Sequence, residues 1–162
     1  MSTELNKDTT IDIPVIDPRV EGKFYIFSAE WNKEVVGKLL EGCHKTLLAA
    51  DVKEERIVSC KVPGSVELVN AAATAIERGD AAAIVILGCV VRGDTPHFDY
   101  VCQIVSQATA ILNSKGKAPV IFGLLTVENL QQAFDRAGGI LGNKGEEAAV
   151  AALNMATLHQ FL

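Results

Sequence analysis

The chain has 162 residues, 49% of them hydrophobic and 22% charged. That length suits one domain burying roughly 70% of its unfolded surface, and the composition excludes a disordered chain. Fifteen Lys+Arg against twenty Asp+Glu leave a net charge of −5, which argues against nonspecific nucleic-acid binding driven by counterion release at basic patches. No run approaches about 18 uninterrupted apolar residues, so no membrane association is expected. The first residues, Met1 to Lys7, lack the basic-then-apolar order of a secretory signal, and the reading is a soluble cytoplasmic protein.

Residues 1–22 read as an N-terminal extended arm and 23–162 as the domain. Pro14 and Pro18 break the apolar stretch Ile11–Ile16, which leaves it an edge strand or an arm. Phe24–Ser28 reads as a strand, and Val35, Val36, Leu39, Leu40, Cys43, Leu47 and Leu48 then recur at helical spacing, with Asn32 placed to cap. Arg56–Val62 is a second strand ending at Pro63-Gly64. Val69, Ala72, Ala73 and Ile76 mark a helix stopped near Gly79. Ala82–Val91 is a continuous apolar run, as in a strand covered on both faces. The next helix carries Tyr100, Val101, Ile104, Val105, Ala108, Ile111 and Leu112, and Pro119–Leu125 is the fourth strand. Thr126 is placed to cap a helix through Ala137, which Gly138, Gly139 and Gly142 interrupt. Asn143 and Glu146 have capping-box spacing for a last helix to about Leu158.

Strand–helix alternation with crossovers of this length implies an α/β fold with a parallel, doubly wound sheet. Four strands leave open edges, and the mean hydropathy of +0.24 is high; together they suggest surface buried in an oligomer. Cys43, Cys60, Cys89 and Cys102 show no C-x-x-C spacing and the three histidines are scattered. A structural metal is therefore not expected, and the cysteines read as small buried hydrophobes.

Ligands in such sheets sit beyond the carboxyl ends of the strands. Those ends carry Trp31-Asn32, Pro63-Gly-Ser65-Val66-Glu67, Arg92-Gly-Asp94-Thr95-Pro96-His97 and Phe122 to Thr126. Thr95-Pro96 reads as a cap followed by a first-turn proline, so the turn before it offers backbone N–H groups to a phosphate. His97 in that first turn is placed to exchange protons with a bound substrate. Asp94 repels an anion unless its carboxylate turns away. Each residue also has a plain structural reading: a surface histidine at a helix start, a core or interface Trp31, a Glu67 favoured by the dipole, an Arg136 at a solvated helix end. Cys89 has no paired base in the sequence, so a nucleophilic role is weakly supported. Neither G-x-G-x-x-G nor the phosphate-loop pattern occurs.

At these segments the chain closely resembles the lumazine synthases. The resemblance rests on Trp31-Asn32, Val62-Pro-Gly-Ser-Val-Glu67, Gly88 to Val101 with its R-G-x-T-x-H-F-D-Y block, Val120 to Thr126, and Asp135-Arg-Ala-Gly138 with Asn143-Lys-Gly145. These segments run colinearly through about residues 20–160. It implies a flavodoxin-like three-layer α/β/α sandwich with a four-stranded parallel sheet. It also implies condensation of 5-amino-6-(D-ribitylamino)uracil with 3,4-dihydroxy-2-butanone 4-phosphate, the penultimate step of riboflavin biosynthesis, with no cofactor.

By this resemblance Trp31, Ser65, Val66, Glu67, Cys89, Val90, Val91 and Phe122 surround the ribitylaminouracil. Asp94, Thr95 and Arg136 hold the phosphate of the other substrate, His97 transfers protons, and Lys144 is a further ligand contact. Trp31 and Val66 stand where Phe is usual, and Cys89 where Thr or Ala is usual, so a hydrogen bond at Cys89 falls to the backbone. The resemblance further implies a homopentamer, with Phe122 and Arg136 facing the neighbouring subunit's site. Some members close pentamers into icosahedral shells, and riboflavin synthase is an implied protein partner. The uninterrupted Gly138 to Asn143 connection favours the shell. A flavodoxin-like flavin-binding module would leave His97 unexplained, and a non-catalytic shell protein would not keep His97 and Arg136.

Overall fold

A computed structural model describes residues 11–162. Four parallel strands, β1 (Lys23–Ala29), β2 (Ile57–Val62), β3 (Ala81–Val91) and β4 (Val120–Val127), form one sheet in the order β2-β1-β3-β4. Helices α1 (Lys33–Ala49), α2 (Glu67–Arg78) and α3 (His97–Ser114) connect successive strands. After β4 come the short α4 (Leu130–Asp135), a two-stranded antiparallel ribbon of β5 (Ala137–Gly139) and β6 (Gly142–Asn143), and α5 (Lys144–Phe161). This is the α/β fold expected, with the four-stranded parallel sheet.

Strand alternation divides the core in two. Phe24 and Ile26 of β1 join Val85 and Leu87 of β3 against Leu39, Cys43, Ala149 and Leu153 of α1 and α5. Tyr25 and Phe27, with Ile84 and Ile86, pack on the other face against Leu68 and Ala72 of α2 and Val105 of α3. The sheet is therefore the middle layer of three, and β3, next to its centre, is buried along most of its length. β2 forms an open edge, where Ser59, Cys60 and Lys61 are exposed. Cys60 is thus not the buried hydrophobe the sequence suggested; only Cys43 and Cys89 are buried. Among the described residues no helix is long and apolar enough to cross a membrane.

The N-terminal segment falls partly outside the described residues. From Ile11 to Gly22 it forms no strand, but it docks on the domain: the Ile16 N–H donates to the Ala50 carbonyl at 2.9 Å, and Ile16 and Val20 are buried.

Three helix starts differ from expectation. Asn32 occupies the N-cap position of α1 but makes no side-chain cap bond. Helix α3 begins at His97 with Pro96 before it, and Thr95 caps nothing. Thr126 lies within β4, and α4 is capped by Asn129, whose side chain accepts from the Gln132 N–H at 3.0 Å. At α1 a tertiary partner, and at α4 a residue nearer the turn, displaced the expected cap, while α3 starts without a side-chain cap. Asn143 does cap α5, accepting from the Gly145 N–H at 2.8 Å while its amide donates to the Lys38 carbonyl at 3.0 Å. The α4 helix stops at Asp135 rather than running to Ala137, because Gly138 at φ 99° turns the chain into the ribbon.

Candidate active site

The strand order reverses direction at β1: β2 lies on one side of it and β3 on the other. The loops after β1, β2 and β3 therefore open around one crevice at the carboxyl end of the sheet. They enclose a cavity of about 610 Å³.

The β1–α1 loop contributes Trp31, which is 72% exposed, and Asn32. The β2–α2 loop contributes Gly64, Ser65, Val66 and Glu67, the last opening α2. Gly64 is there for space: a Cβ on it would lie 2.8 Å from a Glu67 carboxylate oxygen and 3.7 Å from Trp31 Cδ1. A side chain at 64 would push the carboxylate off the cavity wall. Gly88, near the end of β3, plays the same part below. A Cβ there would meet Leu124 Cδ1 at 2.5 Å and Ser65 Oγ at 3.2 Å, and Ser65 is only 9% exposed.

Cys89, Val90 and Val91 line the cavity from the end of β3, and His97 and Val101 line it from α3. The Cys89 side chain packs into the α1–α5 core, and burial pushes its thiol up to about 11. It is therefore a neutral thiol at physiological pH, which removes the nucleophile reading. The Cys89 carbonyl accepts from the Asn32 amide at 2.8 Å.

The turn between β3 and α3 is braced from outside. The Arg92 guanidinium donates to both Asp99 carboxylate oxygens, at 3.0 and 3.3 Å, and to Glu128 at 3.1 Å, and it lies 4.2 Å from the Phe98 ring centroid. The Arg92 N–H extends the β3–β4 ladder to the Val127 carbonyl at 2.9 Å. Asp99 first and Glu128 second raise the guanidinium pKa above its ordinary value. Arg92 is thus engaged in holding the turn, with Asp94, Thr95 and His97 exposed just beyond it. Asp94 and Thr95 are not among the residues that line the cavity.

Phe122 and Arg136 lie elsewhere. They line a second cavity of about 460 Å³ along β4, with Lys144 and Glu147 of α5. The two cavities share no residue. Phe122 is the third residue of β4, paired with Ile86, rather than a residue of the carboxyl rim as its place in the sequence suggested. β4 is the other edge strand, which leaves Phe122 40% exposed. Arg136 ends α4, donates to the Gln132 carbonyl at 3.1 Å, and offers its own carbonyl to the Lys144 N–H at 2.8 Å. That bond seats the start of α5 beside Arg136, and Lys144 then pairs with Glu147 one turn on. Sequence reading missed Glu147; the i,i+3 spacing from Lys144 was the available signal. It also missed Asn32 as a wall of the first cavity.

The profile of 6,7-dimethyl-8-ribityllumazine synthase matches residues 21–160. The chain belongs to that family. A protein of this name from Bacteroides fragilis is 53% identical over 133 residues, covering 82% of this chain and 93% of that one. One from Parabacteroides distasonis is 48% identical over 155 residues, 96% of this chain and 97% of its own, and one from Phocaeicola vulgatus is 45% identical over 155 residues, 96% and 92%. The lumazine synthase match takes in both cavities, the braced turn and the ribbon between α4 and α5. Family membership therefore applies to the whole domain.

Proposed function

We propose that this protein is a 6,7-dimethyl-8-ribityllumazine synthase, a transferase that joins 5-amino-6-(D-ribitylamino)uracil to 3,4-dihydroxy-2-butanone 4-phosphate in riboflavin biosynthesis. The observation that carries the reading is one cavity in which an exposed indole, a carboxylate and an imidazole converge at the carboxyl end of the sheet. Trp31 stacks on the planar pyrimidine. Ser65, Val66 and Glu67 receive the ribityl chain and ring edge, and Val90 and Val91, with the Cys89 backbone, form the floor. Phe122 closes the ring pocket from a neighbouring copy.

The butanone phosphate takes the turn at Asp94 and Thr95, where backbone N–H groups open α3 toward an anion. Arg136, again from the neighbouring copy, supplies the cation, with Lys144 beside it. The aromatic amine attacks the ketone, and water leaves as the imine forms. Phosphate then departs, and the ribityl-bearing nitrogen closes the ring with loss of a second water. His97 shuttles the protons of these steps. The reactants are intrinsically reactive, so orientation is the larger contribution and proton transfer the smaller. Arg136 both positions the phosphate and stabilises it as it leaves.

The division of the residues between two cavities supports a site completed by a second copy, in a homopentamer. The exposed Ile140, 80% accessible at the tip of the β5–β6 turn, supports closure of pentamers into a shell that buries it. Riboflavin synthase is the protein partner this assembly would receive, and the cytoplasm is its compartment. Mixing the protein with both substrates tests the activity: the lumazine chromophore should grow with phosphate release, and neither should occur with one substrate alone. No chromophore above the uncatalysed rate would overturn the reading.

A further inference from the structure

The loop that follows β1 is pinned on both sides. The Glu30 N–H donates to the Val62 carbonyl at the end of β2, at 2.9 Å. The Asn32 amide donates to the Cys89 carbonyl near the end of β3, at 2.8 Å. Because β1 lies between β2 and β3, these bonds draw the loop in opposite directions. Trp31 is the one residue between them.

Asn32 has left-handed backbone angles, φ 54° and ψ 48°, a conformation asparagine tolerates better than most residues. Its carbonyl accepts the Val36 N–H at 3.0 Å as α1 begins. An asparagine at this position ordinarily turns its side chain onto the helix N–H groups. Here it makes no such bond, and the amide reaches across to β3 instead. Helix capping has been given up for a tie between the Trp31 loop and the cavity floor.

We propose that Asn32 is a positioning residue: its bond to the Cys89 carbonyl sets the spacing between the Trp31 indole and the Val90–Val91 floor, and so the width of the slot that admits a planar heterocycle. The inference rests on the functional reading above for the identity of that heterocycle. It does not rest on it for the geometry. The indole is 72% exposed, so its place depends chiefly on how the backbone beneath it is held.

The chain has one tryptophan, so intrinsic fluorescence reports this wall alone. Two variants separate positioning from a helix-start role. Asn32→Asp keeps a good N-cap residue but sets a carboxylate oxygen against the Cys89 carbonyl. Asn32→Gly keeps the left-handed backbone and deletes the tie. In both, the amplitude of nanosecond depolarisation of Trp31 should rise about twofold without substrate, since the side chain gains motion on that timescale. The KM for the ribitylaminouracil should rise about tenfold, the order expected for one lost hydrogen bond, while the KM for the butanone phosphate stays within about twofold.

A role confined to starting α1 predicts an unchanged or raised melting temperature for Asn32→Asp, with wild-type anisotropy and both KM values unchanged. That result would overturn the proposal, as would an equal rise in both KM values. The fluorescence measurement needs no substrate, so an inactive wild-type protein would sink the functional reading and leave this test standing.

Discussion

Gly145 in the first turn of α5 stands where two helices meet backbone to backbone. A Cβ on it would lie 1.9 Å from the Leu39 carbonyl oxygen of α1, 2.7 Å from its carbon and 2.9 Å from its Cα. An ordinary contact is about 3.5 Å, so Gly145→Ala requires α5 to retreat by roughly 1.5 Å. Neither partner can rotate away, since both are main chain. The retreat opens the α1–α5 seam, where Leu39, Cys43, Ala149 and Ala152 are fully buried, and strains the Asn143 amide bond to the Lys38 carbonyl. Overpacking usually costs about 1–3 kcal/mol, and a backbone clash with a loosened seam belongs at or above the top of that range, about 3–4 kcal/mol. For a chain of this size that lowers the melting temperature by roughly 8–12 °C.

Gly37 on the outer side of α1 is the internal control. A Cβ there meets nothing within 4 Å, and Gly→Ala inside a helix stabilises by about 0.5–1 kcal/mol. Thermal unfolding followed by circular dichroism should move Gly37→Ala up by about 2–3 °C and Gly145→Ala down by several times as much. A Gly145→Ala protein that melts within 2 °C of the wild type would mean that α5 and α1 do not meet backbone to backbone at this residue.

His97→Ala should slow turnover by about 10²-fold or less with the fold intact, because the pocket keeps its orienting contribution; an unchanged rate at saturating substrate would remove the proton-transfer role. Burial raises the Cys89 thiol to about 11 and Cys43 to about 12, so iodoacetamide at pH 8 should leave both unlabelled until denaturant is added, and rapid native labelling of Cys89 would contradict its placement. The same shifts carry a stability sign. Above the ordinary thiol value of 9.0 the unfolded chain loses protons that the folded chain keeps, so stability should fall as pH rises from about 9. Sedimentation should show a particle larger than five subunits; a single pentameric species across pH and phosphate concentration would refute the shell.

The strands were legible because burial leaves a pattern. The apolar run Ala82–Val91 could be covered only on both faces, and β3 spans Ala81–Val91. Helix starts were less legible, since a capping side chain is chosen by competition. Asn32 has a better partner in the Cys89 carbonyl than in its own helix, and that partner is 57 positions away. The cluster from Trp31 to His97 follows from reading strand ends, and the chain folds it into one cavity. Strand ends alone did not separate Phe122 and Arg136 from that cluster; only the family resemblance set them apart, and they line another cavity. Order along the chain does not reveal that β4 is an edge strand, nor that α4 and α5 turn its outer side into a separate cavity.

Catalysis as proposed draws on both cavities, contributed by different copies, and subunit mixing distinguishes that arrangement from a site within one chain. His97→Ala protein and Arg136→Ala protein, each impaired, are mixed under conditions of subunit exchange and assayed for lumazine formation. In an equal random mixture about one quarter of the interfaces pair a native His97 with a native Arg136 from the neighbour, so activity should approach roughly one quarter of the wild type. If every site drew both residues from one chain, each would carry a lesion. Mixed oligomers no more active than the average of their parents would mean that His97 and Arg136 of different copies do not share a site.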